Sequence, residues 1–391
     1  MSSQSSTNNS SFGKNIIGIF ILILIATVIL PSYLSNFVNK NKNNCKRINN
    51  YHSDIINNSI IYNKDYFQDY NDNPIKLKDF FVKTAYNCFC SGSFKNDYVN
   101  KCALENCKKF GARALDLQVF SLKGVPIIAA NSLNTNLYKE TFNHITLEDA
   151  IRDINNVYNL TVIDGETSGD PMFLILRIHY DSINDDNKEI ASINKKKLLF
   201  YDKIYEILNK EFPKDYTSEF TSSYNFNNHT SVSRNYSDMN MVTNDDNPAQ
   251  DSVYKIFLFV ILNNETSDST DTDIIKKSKL NQIVDDYGND ANKFNYLRFS
   301  DAVSYNKNTM RMSTKENLHY SIPNLGPNNY NYNFSDCTSR GIQFIGMNFQ
   351  NNDYHFKNYI KFFKENSPNL SFVKIPSNDG LYGYDYNYYT V

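Results

Sequence analysis

The side chains that chemistry would need fall where apolar runs stop. Asn87 closes the run that begins at Phe80, and Asp116 and Gln118 alternate inside Ala114–Phe120. Ser132 follows Val125–Ala130, and Arg177 and His179 close the run that begins at Met172. A guanidinium grips a phosphate or a carboxylate through two parallel hydrogen bonds. An imidazole is the acid or base suited to neutral pH. Carboxylates and carboxamides are the oxygen ligands that a hard cation requires. Phosphate recognition, proton transfer and cation binding are therefore the chemistries to weigh.

These side chains need a scaffold that brings the ends of apolar runs together. The runs alternate with segments of helical periodicity. Tyr98–Phe110 sets Val99, Ala103 and Cys107 on one face, Leu147–Tyr158 follows Thr146 as its cap, and Lys195–Leu208 continues in kind. Another apolar run covers Lys255–Leu262. Buried strands alternating with helices predict βα units around a parallel sheet, here a TIM-type (β/α)8 barrel. In such a barrel the chemistry sits at the C-terminal ends of the strands.

The same segments resemble the X region of the phosphatidylinositol-specific phospholipase C family. Its first strand ends in Ser-His-Asn-Thr-Tyr, where this chain has Ala85-Tyr86-Asn87-Cys88-Phe89. Its Gly-x-Arg-x-x-Glu-Leu-Asp strand is similar to Gly111-Ala112-Arg113-Ala114-Leu115-Asp116-Leu117-Gln118. Its Pro-x-x-x-His-Gly-His strand corresponds to Pro126–Ser132, and its Pro-x-x-Leu-x-Leu-Glu-x-His strand to Pro171–His179. The Y region is resembled by Leu297–Asp301, Tyr320–Pro323, Pro327–Asn331, Gly341–Gln350 and Val373–Pro376. The likeness spans roughly residues 74–376.

That resemblance implies a phosphodiester site from which the catalytic groups are missing. The family's two histidines fall at Tyr86 and within Ala130–Ser132, where this chain has none. Its eukaryotic Ca²⁺ ligands fall at Asn87, Asp116, Gln118 and Arg177, so two anions are lost and a cation is gained. The resemblance thus implies no metal and no other cofactor. Bacterial members place an arginine where the metal sits, which implies a phosphate-binding role for Arg177 with Asp116 orienting it. The alternative is that the two form an ion pair that plugs the barrel mouth. Arg177, Asp116 and His179 are the catalytic candidates; Asn87, Arg177 and Ser300 are the substrate-binding ones. His144 and His319, with His179, are the imidazoles that can substitute for a lost base.

The domain reading follows. Residues 1–14 read as a disordered N-terminus and 15–38 as a transmembrane anchor. Residues 39–73 read as a tether, 74–212 as the X-like half, 213–253 as a low-complexity linker, and 254–391 as the Y-like half with a C-terminal tail. The apolar run Ile16–Leu30 reaches the ~20 residues of a spanning helix only by continuing to Val38. Lys40, Lys42, Lys46 and Arg47 follow it, against Lys14 alone before it, which puts the barrel on the cytoplasmic side. The six cysteines are then expected as free thiols in a reducing compartment.

A formal net charge of -2 gives no global field for nucleic acid. No Gly-rich phosphate loop, zinc-type spacing or Gly-x-Ser-x-Gly elbow occurs. The expected function is a membrane-anchored phospholipase C-like barrel that engages phosphoinositide or other phosphodiester head groups of membrane lipid with little or no hydrolysis. An active phosphoric diester hydrolase using Arg177 and a substitute base is one alternative. A structural membrane or virion protein is the other. No protein partner is legible.

Overall fold

In the computed structural model of the chain, the described residues are 17–18, 20–51, 77–133, 138–158, 172–180, 190–212, 256–262, 269–284, 286–287, 294–367 and 370–375. The expected disordered stretch 1–14, the linker 213–253, most of the tether and the C-terminal tail lie outside them.

Strand β1 (Phe80–Ala85) is buried at every position. β2 (Ala114–Leu122) leaves the core only at its last two residues. Such continuous apolar runs suit a parallel sheet covered on both faces. Two short antiparallel strands follow, β3 (Val125–Ala129) and β4 (Ile145–Thr146). Then come β5 (Met172–His179), β6 (Ile256–Leu262), β7 (Asp286–Tyr287), β8 (Phe294–Arg298), β9 (Leu318–Ile322), β10 (Phe344–Met347) and β11 (Phe372–Lys374). The main path runs β7-β6-β5-β2-β1-β10-β9-β8, and every pairing along it is parallel. Strand order thus follows chain order, and the last long strand returns to pair the first.

The two ends of this path, β7 and β8, do not pair among the described residues. Aromatic rings span from β6, next to β7, across to β8. Phe259 of β6 stacks on Phe294 of β8 with centroids 4.4 Å apart. Phe344 of β10 meets Phe173 of β5 at 5.2 Å and Phe259 at 5.9 Å. Rings from near opposite ends of the sheet can touch only if it is rolled, and these phenyl groups fill its interior at this level.

The strand at Val125–Ala129 differs from expectation. It is not the start of another βα unit but the return arm of a hairpin on β2. The two-residue turn is Lys123-Gly124, with φ of 52° and 76°. Both residues must be left-handed in this turn type, and glycine supplies one of them without strain.

Helices cover the sheet. They are α1 (Leu30–Asn49), α2 (Lys101–Lys109), α3 (Leu147–Tyr158), α4 (Ile190–Glu211), α5 (Ser269–Lys276), α6 (Phe299–Ser304), α7 (Lys307–Glu316), α8 (Ser335–Thr338) and α9 (Tyr354–Asn366). Thr146 caps α3 as expected, its Oγ1 accepting the Asp149 N–H at 3.1 Å. Asn100 does the same for α2.

One expectation for the N-terminal region, the spanning helix at 15–38, lies partly outside the described residues and finds no support within them, and another is corrected. No helix among the described residues is long and apolar enough to cross a membrane. The apolar helical run passes through a π-turn at Ile25–Ile29 and then into α1, whose second residue is Pro31. Proline removes the ordinary i→i−4 bond, and a wider turn absorbs the loss. Beyond it α1 becomes polar.

Second, residues 39–49 are not a tether. Asn41, Asn44, Cys45 and Ile48 lie at helical spacing, and Ile48 packs with Cys102 and Ala103 of α2. Cys45 and Cys102 form a disulfide, with Cα atoms 5.6 Å apart. Free thiols were expected; only Cys88, Cys90, Cys107 and Cys337 are free, and all four are buried. An Asn- and Lys-rich segment has weak helix propensity, and tertiary contacts supply what propensity lacks.

Candidate functional site

The C-terminal end of β1, the early part of β2 at Asp116 and the C-terminal part of β5 converge on one guanidinium. Asp116 lies two residues before Gln118 on β2, and Gln118 is the register partner of Arg177 on β5. The alternation of a strand therefore turns Asp116, Gln118, Arg177 and His179 to the same face. Arg177 Nε donates to Asp116 Oδ2 at 2.8 Å, and Nη2 donates to Oδ1 at 2.7 Å. Nη2 also donates to Asn87 Oδ1 at 2.6 Å, and Nη1 to the Tyr86 hydroxyl at 3.2 Å. The guanidinium carbon lies 4.4 Å from the Tyr86 ring centroid.

Local backbone geometry aims these groups. β1 ends at Ala85, and Asn87 then adopts φ 47°, a left-handed conformation that asparagine tolerates better than most residues. Its N–H donates to Asp116 Oδ1 at 3.1 Å, so Asp116 holds both the loop and the arginine. Phe94 lies against the Tyr86 ring at 5.5 Å, edge to face, and closes the assembly from above.

Arg177 is 2% exposed and Asp116 fully buried. Burial pulls the guanidinium's pKa down; the attraction of Asp116, Tyr86 and Tyr296 outweighs it, and Arg177 is held well above the ordinary arginine range. Burial, partly offset by Arg177, raises the Tyr86 phenol. A neutral phenol there is no base at neutral pH.

The proposed substitute bases are placed elsewhere or shut in. His179 stacks on Phe120 with centroids 4.6 Å apart, is 1% exposed, and neither ring nitrogen has a hydrogen-bond partner among the described residues. Burial, then the charge of Arg177, pushes its pKa well below the usual histidine value, so it is neutral. His319 is the second residue of β9, near that strand's N-terminal end, and is engaged with Ser313 and the Asn317 carbonyl at 3.1 Å each. His144 is exposed in the segment before β4. The Cys88 thiol is raised well above its ordinary value by burial first, which removes it as a nucleophile.

Ser300 is not brought to Arg177. It sits in the first turn of α6, exposed, and bonds to Asn324 and Asp301. Ser132 hydrogen-bonds to Glu140. The neighbouring Asn131 N–H donates to Gln118 Oε1 at 2.9 Å, so the hairpin's return arm does reach the site's edge.

Two residues near the centre escaped the sequence reading. Tyr296 and Tyr320 lie within electrostatic reach of Arg177, with ring centroids 6.0 Å apart. The period-2 spacing of Phe294 and Tyr296 on β8 is the signal that points Tyr296 inward.

The residues do not fit Ca²⁺. The single carboxylate at the centre is bound on both oxygens by a guanidinium, and that cation stands beside the remaining oxygen ligand, Asn87. A divalent ion would meet a fixed positive charge rather than several anions. No group of three metal-binding side chains occurs among the described residues.

No family model matches the chain, and no curated protein does. Solved structures do. PLC21 of L. pealei is similar with a TM-score of 0.54 at 12% identity, over 77% of this chain and 37% of that one. PLC21 of S. officinalis is similar to the same degree, TM-score 0.54 at 13% identity and the same coverage. A calcium-dependent phosphoinositol-specific phospholipase C from a Pseudomonas species matches at 13% identity and a TM-score of 0.41, over 74% of this chain and 95% of that one. The first two define the class: a phospholipase C-like α/β fold. This chain spans about a third of their length, and the likeness is one of fold.

Proposed function

We propose that the chain is a membrane-associated phospholipase C-like barrel that engages the phosphate of lipid head groups, phosphoinositides first, without appreciable hydrolysis. The carrying observation is the centre itself. A permanent cation stands where the loop after β1 meets β2 and β5, held by Asp116 and Asn87. His179, two residues further along β5, has no hydrogen-bond partner on either ring nitrogen among the described residues and is enclosed and neutral. The Nε–Nη2 fork is closed on Asp116, so a phosphate has to draw the guanidinium from that carboxylate or take Nη1 from Tyr86. A guanidinium does not supply the acid and base that phosphodiester cleavage needs. The closed TIM-type barrel belongs to the same proposal, since the rolled path leaves β7 and β8 to be bridged. So does attachment to a membrane, supported by the exposed Ile17, Phe20, Leu22 and Leu24. The Cys45–Cys102 disulfide favours an oxidising compartment for the folded part over the cytoplasmic side that the loop charges suggest.

The test is calorimetric titration of the full chain in detergent with inositol phosphates, beside turnover of phosphatidylinositol. Binding that the double variant Arg177→Met, Asp116→Leu abolishes while it stays folded, with turnover at background, is the expected result. No binding at millimolar ligand leaves the structural reading. Rapid turnover restores the hydrolase reading.

A further inference from the structure

The helix that precedes the sheet is fastened to the loop that carries Phe94. Asp97 is 4% exposed at its side chain, in the loop that links β1 to α2. Its Oδ1 accepts from Asn44 Nδ2 of α1 at 2.6 Å and from the Tyr98 N–H at 3.0 Å. Its Oδ2 accepts from the Ser93 N–H at 3.0 Å and pairs with Lys40 of α1 at 3.0 Å. Lys40 also donates to the Asn96 carbonyl at 2.8 Å. The loop between Ser91 and Tyr98 is thus wound around a buried carboxylate whose counter-charge comes from α1. The same loop carries Phe94, which packs on Tyr86, which in turn accepts from Arg177. The Cys45–Cys102 bond pins α1 in place.

We propose that α1 is an autoinhibitory strap that holds the loop 91–98 shut over Arg177. This rests on the phosphate-binding reading for what lies beneath the loop, but the closure itself does not. Without Lys40 and Asn44, Asp97 is a buried charge lacking its cation and one of its donors, and a loop organised around it loses its reason to stay closed. The loop has other contacts. The Asn96 N–H donates to the Glu140 carbonyl and the Phe142 N–H to the Asp97 carbonyl. Ser91 donates to the Tyr98 carbonyl, Asn329 and Gln350 donate to the Gly92 carbonyl, and Arg47 of α1 donates to the Ser91 carbonyl at 3.3 Å. In this proposal they do not keep the loop closed once Asp97 loses its partners on α1. Gly92 marks how tight the fastening is. A Cβ there would lie 2.3 Å from Asp97 Oδ2 and 2.7 Å from Asn44 Nδ2. A dithiol reductant can release the pin. One S–S bond breaks, two S–H bonds form, and the dithiol becomes a cyclic disulfide, with two electrons and two protons transferred.

Hydrogen exchange on the full chain in detergent tests the strap. The comparison is wild type, the quadruple variant Lys40→Met, Asn44→Leu, Cys45→Ser, Cys102→Ser, and the single variant Gly92→Ala. The Ser93 and Tyr98 amides should exchange at least about 10-fold faster in both variants, with β5 amides unchanged. Unchanged exchange across residues 91–98 in both variants overturns the strap. Loss of β5 protection along with the loop also overturns it, because α1 would then be part of the folding core. Titration with inorganic phosphate and inositol phosphate forms the second arm. Tighter binding in the opened variants joins the two readings. A loop that opens with no phosphate bound leaves the strap standing and removes the head-group reading.

Discussion

Arg177 and Asp116 meet as a two-bond fork, 2.8 Å and 2.7 Å, sealed from solvent on strands that are hydrogen-bonded neighbours. A pair of this kind gains little over a well-packed apolar pair, but breaking it strands a charge. Arg177→Met or Asp116→Leu alone should therefore destabilise the chain by about 3–5 kcal/mol in urea unfolding. The double variant should recover most of that loss. Additive losses would show that the two side chains are not energetically coupled.

Hydrolysis should be at background and should stay there in Tyr86→His. One restored imidazole still lacks its acid–base partner, and each such group contributes roughly 10²–10⁴ in rate. Radiolabelled phosphatidylinositol turnover is the assay. A large rescue by Tyr86→His alone would contradict this account of the centre.

Calcium should leave the melting temperature unchanged, because the guanidinium occupies the carboxylate a cation would need. Ligand linkage makes even modest binding visible as a shift. A calcium-dependent rise that Asp116→Ala removes is the opposite result.

Acid should weaken the fold through His179. Burial holds its folded pKa well below 6.5. As pH falls through 6.5 the unfolded chain takes up a proton that the folded chain refuses. Stability then drops by up to about 1.4 kcal/mol per pH unit from this residue. His179→Phe keeps the stack on Phe120 and should remove that part of the slope in denaturation at pH 5 to 7.

Lys83 should act in the alkaline direction. It is fully buried on β1, donates to the Phe110 carbonyl at 2.9 Å, and burial lowers its pKa to about 7. Above pH 7 the folded chain has released a proton that the unfolded chain keeps, so this contribution raises stability as pH increases. Lys83→Met should flatten the rise between pH 7 and about 8.5, where ordinary thiols begin to ionise. An identical pH profile in wild type and variant would show that Lys83 stays charged inside.

The apolar runs at β1, β2, β5 and β6 and the capped helix α3 were legible because period and capping are local properties of a sequence. So was the list of side chains at the strand ends, since a strand's alternation decides which residues share a face. What those side chains do to one another was not local. Whether Arg177 offers its fork to a ligand or closes it on Asp116 depends on the register of β2 against β5, which places the two strands' polar residues on one face. The hairpin at Lys123-Gly124 carried a turn signal in its glycine, yet its arm looked like another strand of the repeat, because pairing direction is decided by the partner strand. The polar helix α1 left the weakest trace. Its residues favour no structure on their own, and contacts with the loop at Ser91–Asp97 and with Cys102 on α2, at least 44 residues further on from the side chain each one meets, hold it as a helix.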